Sequence, residues 1–238
     1  MRSHARKLPI VLAGAIALAL GGIVAECQAA DSAPLKIRKI YWEYNSSAND
    51  LGVHVSLDGE DWKRLKIVNP KNKAIFDVEG KQAYRNLGMT ELFFEGAEPN
   101  LGDFPLGELL ALFPEGDYEF VGKYVDGTEV EDSVKFSHAI PDGPIVSATV
   151  GPNDSVVISW TAVTSVPAGF PQKPLSIVGY QVVIGSDALL VTVPANTLSL
   201  TVPPEFVASL PSGEQPYEVL AIDASGNQTL REGTFVKP

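Results

Sequence analysis

The chain of 238 residues has a single cysteine, Cys27, and three histidines, His4, His54 and His138. A lone thiol closes no intrachain disulfide, so apolar burial must hold the fold together. Three imidazoles also leave little for zinc catalysis, which takes about three converging protein ligands. GxSxG and HExxH are absent, which removes the usual marks of a hydrolase nucleophile elbow and a zinc protease. Positive charge is scarce: 18 Lys and Arg stand against 29 Asp and Glu, a net charge of -11. Such a surface repels phosphate backbones and anionic lipid, and excludes nucleic acid as a partner. Long helical periodicity is missing too. Short alternating runs separated by Gly, Pro, Asn and Asp take its place, the pattern of an all-β protein.

What is present begins with a leader. MRSHARK is basic, and LPIVLAGAIALALGGIVA, residues 8–25, is apolar. This is the form of a secretory signal peptide over residues 1–30, ended by small residues. The same run, if retained, is near the lower length of a membrane anchor, the one route by which this chain would meet a membrane. Glu26 before Cys27 speaks against a lipid-modified cysteine. Cleavage after Ala29 or Ala30 removes Cys27 and leaves 15 basic and 28 acidic residues, a net charge of -13. The expected location is outside the cytoplasm: periplasm, cell surface or extracellular space.

KFSHAIPDGPI, residues 135–145, interrupts the strand pattern with two prolines around Asp142-Gly143, a short stiff connection. Charge density changes there: residues 31–138 hold 12 basic and 20 acidic side chains, residues 139–238 only 3 and 8. The chain therefore divides into residues 31–140 and 141–238, with few apolar residues expected to bridge the joint.

In the second part, VVISW puts Val156, Ile158 and Trp160 on one strand face. GYQVVIG does so with Tyr180, Val182 and Ile184, TLSLTV with Leu198, Leu200 and Val202, and YEVLA with Tyr217, Val219 and Ala221. Pro144 before the first strand, Trp160 ending the second, Gly179-Tyr180-x-Val182, Leu210 ahead of Tyr217 and the ending Ala221-x-Asp223-x-Ser225-Gly226-Asn227 together resemble the fibronectin type III family across residues 142–238. The resemblance implies a β-sandwich that serves as spacer or recognition module, with Trp160, Tyr180 and Tyr217 in its core and the Tyr217 hydroxyl turned back to upstream backbone. Asp223 and Ser225 then read as turn residues, since this part contains no histidine to deprotonate Ser225. A long proline-bearing loop, residues 161–178, carries Phe170 at its middle.

No family resemblance extends over residues 31–140. IRKIYWEYN sets Ile40, Trp42 and Tyr44 against Lys39, Tyr41 and Glu43, and LGVHVSL sets Val53, Val55 and Leu57 inward, leaving His54 toward solvent or the domain junction. WKRLKIV, AIFDVEG and TELFFEG supply further strands, and Asp126-Gly127 a two-residue hairpin turn with positive φ. About seven strands suggest a second immunoglobulin-like sandwich. Only residues 104–113 look helical, with Leu106, Leu109, Leu110 and Phe113 on one face, a cap for an open end of the sandwich or a partner-binding helix. The expectation is thus two β-sandwich domains in tandem with one short helix in the first.

Paired carboxylates are the one catalytic kit on offer: Glu91, Glu95 and Glu98 could act as a glycosidase acid and base, but a carboxylate-rich strand is more simply a solvated face. No catalytic residue is therefore assigned. Oxygen-rich Asn45, Asn49, Asp50 and Asp58 make calcium the only cofactor to consider, although they lack EF-hand spacing and also suit turns. Tyr41, Trp62, Tyr84 and Phe170 are candidates for an exposed aromatic binding surface. Three sequons, at Asn45, Asn153 and Asn227, carry little weight. These readings converge on an exported, non-enzymatic binding or structural protein with a protein or glycan partner. An accessory carbohydrate-active protein is the alternative.

Overall fold

The computed structural model describes residues 32–152, 155–185 and 188–237. The signal-like segment 1–30 with Cys27, and the Asn153-Asp154 pair of one sequon, lie outside them. The described residues are predominantly β, with fourteen strands and three short helices. No helix among them is long and apolar enough to cross a membrane.

The first part runs β1 (Ser32–Ala33), β2 (Ile37–Asn45), β3 (Asp50–Val68), β4 (Ala74–Glu79), α1 (Ala83–Leu87), β5 (Met89–Glu95), α2 (Leu106–Leu112), β6 (Gly116–Tyr124) and β7 (Glu129–Phe136). LGVHVSL and WKRLKIV are not two strands. They form one strand of 19 residues, β3, whose first half pairs with β2 and β5 and whose second half pairs with β4 and β6. Its register shifts between Asp58 and Trp62. Such a bulge bends a strand and re-aims its side chains. Leu51, Val53, Val55 and Leu57 before it, and Trp62, Leu65 and Ile67 after it, all enter one core. Asp58-Gly59 is therefore a corner, not a reversal, because both flanking runs have apolar faces to bury together. Trp42 meets Phe136 across this core with ring centroids 5.4 Å apart.

The hairpin at Asp126-Gly127 is also longer than expected. Tyr124 N donates to Thr128 O and Gly127 N to Tyr124 O, so residues 125–127 form a three-residue loop. Only Gly127, at φ 102°, is left-handed, as in a turn closed by a glycine bulge. α2 forms where helical spacing places it. Leu109 and Leu110 are buried, and Phe104, Leu106 and Phe113 pack on the first core.

The second part runs β8 (Val146–Val150), β9 (Val156–Trp160), β10 (Ile177–Ile184), β11 (Leu189–Pro194), β12 (Ser199–Val202), α3 (Pro204–Ser209), β13 (Gly213–Asp223) and β14 (Gln228–Lys237). A three-stranded sheet, β12-β9-β8, faces the strands β14-β13-β10-β11, the β-sandwich expected of this part. Between them lie Val156, Ile158, Trp160, Tyr180, Val182, Ile184, Tyr217, Val219 and Ala221, as the alternation requires. Leu198 departs from it. It precedes β12 and is 38 % exposed, while Leu200 and Val202 pack inward. A tyrosine hydroxyl does reach upstream backbone, but it is that of Tyr180, which accepts from Val163 N at 2.9 Å.

The joint is not bare of apolar contact. Ile140 is fully buried in the first core, and Phe170, from the long loop, joins the same core with its ring 4.9 Å from Tyr44. The start of β14, Gln228 to Leu230, pairs with β13 along one edge and in parallel with β2 at residues 43–45 along the other, which makes one eleven-stranded sheet through both parts. Asn227, fully buried, fastens the crossing. Its Oδ1 accepts from Trp42 N at 2.9 Å, and its Nδ2 donates to Ser137 O at 2.8 Å and Ala139 O at 2.9 Å.

Candidate functional site

The four aromatic residues expected on a binding surface do not share one. Trp62 is fully buried and Phe170 is 7 % exposed. The β3 bulge turns Trp62 inward, and the long loop folds Phe170 onto Tyr44. Tyr84 stands alone on α1, 63 % exposed. Tyr41, half-buried, is the one that meets other polar groups. Of the calcium candidates, Asn45 Oδ1 accepts from Ser47 N and Ala48 N, and Asn49 Oδ1 from the Tyr44 hydroxyl. Asn45, Asn49 and Asp50 belong to the β2–β3 turn, while Asp58 lies at the far end of the β2–β3 ladder, opposite Ile37. They do not converge. Asp223 behaves as a turn residue: its carboxylate accepts from Ser176 N at 2.6 Å and Ser225 N at 2.9 Å.

Convergence occurs instead around His54. Tyr41 and Glu43 on β2 share the face of His54 on β3, which is paired with Tyr41 on one side and with Glu95 of β5 on the other. This is the face turned from the core, yet His54 is only 5 % exposed. Tyr41 covers it with ring centroids 5.3 Å apart, and Phe93 at 6.1 Å. The imidazole Nε2 lies 2.7 Å from Glu98 Oε1, 4.0 Å from Glu43 Oε1 and 3.9 Å from Glu95 Oε2. The second oxygen of Glu43 accepts from Gln228 Nε2, a contact from β14. Glu98 reaches His54 by lying over Gly52, where a Cβ would come within 2.5 Å of Glu98 Cγ.

Like charge crowded about one ring shifts its neighbours. Burial raises the Glu43 carboxyl above its ordinary value; His54 and Gln228 oppose this, while Glu98 and Glu95 add to it. Burial alone would lower His54, but its hydrogen bond to Glu98 and the charges of Glu43, Glu98 and Glu95 outweigh it and hold the imidazole above its ordinary value. Tyr41 is pushed up to about 12 by burial, with Glu43 and Glu95 contributing. Sequence reasoning grouped Glu95 and Glu98 with Glu91, which instead sits opposite Asp58. Glu43 and His54 escaped it, although their shared strand face with Tyr41 was a usable signal.

Beside the cluster lies a cleft of about 550 Å³ that spans the joint. Tyr41, Phe93 and Arg38 line it from the first part, and Gln181, Ser225 and Gln228 from the second. Phe93 is 56 % exposed there, on the strand face it shares with Glu91 and Glu95, while Leu92 and Phe94 pack on the core.

No family model matches the chain, and no curated protein matches it. Among solved structures, a two-domain fibronectin type III segment of chicken tenascin is 14% identical over 85% of this chain and 98% of its own, with a TM-score of 0.32. A tetra-tandem repeat from a large adhesion protein is 12% identical over 85% of this chain and 50% of its own, at 0.29. The Clostridium perfringens spore cortex lytic enzyme SleM is 20% identical over 40% of this chain, at 0.32, and the chain spans only 28% of SleM. These are likenesses of β architecture and establish no activity.

Proposed function

We propose that this is an exported, non-catalytic binding protein and that the cleft across the joint is its recognition surface, with a glycan chain as ligand. The observation that supports the reading is the meeting of two aromatic rings, Tyr41 and Phe93, with the side-chain amides of Gln181 and Gln228 in one cleft. Aromatic faces give large contact area at little entropic cost, and amides supply paired donors and acceptors for hydroxyl groups. Both parts of the chain are then needed, since each supplies half of the lining.

The test is a glycan-binding screen on the protein, followed by titration of any hit against Tyr41→Ala and Phe93→Ala. Each substitution is expected to weaken binding by at least about tenfold, the loss of an interface anchor. Binding that survives both substitutions unchanged removes the cleft from consideration. Release of new reducing ends from the bound glycan would replace this reading with a carboxylate-based glycosidase.

A further inference from the structure

We propose that Glu43, His54 and Glu98, with Glu95 at the rim, form a site for one divalent transition-metal ion, with Zn²⁺ the best fit. The inference rests on the cluster alone and stands whether or not the cleft takes a glycan.

The donors come from three places in the chain: β2, β3 and the segment after β5. One ligand atom from each of Glu43, His54 and Glu98 falls within 4.8 Å of the others. Zinc–nitrogen and zinc–oxygen bonds of about 2.0–2.1 Å in tetrahedral array place ligand atoms roughly 3.3 Å apart. The Nε2 separations of 2.7, 4.0 and 3.9 Å bracket that value. Small side-chain rotations reach it: Glu98 withdraws by some tenths of an ångström, and Glu43 and Glu95 close in. The ion replaces the proton shared between Nε2 and Glu98, and that proton leaves to solvent, as metal binding by imidazole requires.

Charge supplies a separate argument. Three glutamates meet at one imidazole, and among the described residues no lysine or arginine forms an ion pair with any of them. Glu43 is largely buried, its side chain 18% exposed. One imidazole shared among three carboxylates leaves the buried one incompletely paired, which is costly. A divalent ion removes that cost. The imidazole ligand argues against calcium and magnesium, which take oxygen, and the lack of thiolate argues against copper(I).

The site is also held ready. Gln228 fixes one oxygen of Glu43 and leaves the other aimed at His54. Such supporting contacts orient ligands and tune affinity. Entry is open from the side of Glu95 and Glu98, 59% and 34% exposed. Once bound, the ion ties the segment after β5 to both β2 and β3.

The test is Zn²⁺ titration of the full chain by calorimetry, with Co²⁺ as the spectroscopic probe. One ion per chain is expected at this site. The Co²⁺ form should show visible d–d absorption without the near-ultraviolet thiolate charge-transfer band that Cys27 would produce. His54→Gln and Glu98→Gln should each lower affinity by more than about 100-fold, and Gln228→Ala by about 10–100-fold. Glu91→Gln, on the same strand as Glu95 but opposite Asp58 and outside the cluster, should leave it unchanged. Near-ultraviolet circular dichroism checks that each variant is folded, and Glu98→Gln, partly exposed and isosteric, keeps the test available if His54→Gln unfolds. Binding that survives His54→Gln and Glu98→Gln in folded protein, or no saturable uptake up to millimolar Zn²⁺, overturns the proposal.

Discussion

Gly52 lies beneath the Glu98 side chain, and a methyl group there would occupy the space of Glu98 Cγ. What yields to an added Cβ is a flexible side chain, not backbone, so Gly52→Ala should cost stability only modestly, about 1 kcal/mol. It should nonetheless push the Glu98 carboxylate off His54. The expected outcome is a chain whose thermal melt stays close to that of the parent while Zn²⁺ affinity falls by about 10–100-fold, as when a supporting contact is lost. Melting and titration of the same sample separate the two effects. The cluster was only half legible in the sequence. Strand alternation places Tyr41, Glu43 and His54 on one face. Nothing local could announce that Glu98, 44 residues from His54, returns over a glycine to meet it.

Among the elements, β3 carries the first part. Trp62 follows the bulge directly, and its side chain is fully buried in the core that both halves of the strand share. Trp62→Ala should therefore destabilise the protein by roughly 3–5 kcal/mol, measured by denaturant unfolding. A solvent-facing binding aromatic would cost almost nothing. The bulge was hidden because Asp58-Gly59 carries turn chemistry and the alternation resets across it, so a corner and a reversal read alike. By contrast β9 is legible residue by residue, because its alternation is unbroken, and so are the sandwich-facing residues of β10 and β13, although Val183 and Leu220 on their other face are buried as well, against Leu230. α3 was missed for a different reason. Its six residues are too few for helical periodicity, and Pro203-Pro204 looks like a break although proline suits a first helical turn.

For the whole molecule the deciding feature is the crossing from β14 to β2. We propose that residues 31–140 and 141–238 remain separate folding units, each with its own core, and that Asn227 couples them. Asn227→Ala would leave Trp42 N, Ser137 O and Ala139 O without their partner. With about 1–3 kcal/mol lost for each buried polar group left unsatisfied, the expected loss is about 3 kcal/mol or more. Scanning calorimetry should then resolve two transitions in the variant where the parent shows one. A single transition in both would mean that the parts share one cooperative core.

The same crossing orders events in time. Glu43 and Gln228 are separated by 185 positions, so along residues 43–45 the ladder position beside β2 stays empty until Gln228 to Leu230 have been made. A polypeptide threaded N-terminus first through a secretion channel would thus emerge with part of β2 still an open template, and would close its first part only when β14 arrived. An open strand edge recruits other strands, so Gln228, Thr229 and Leu230, which cover that edge, would act as the protein's own guard against pairing with a neighbour during passage.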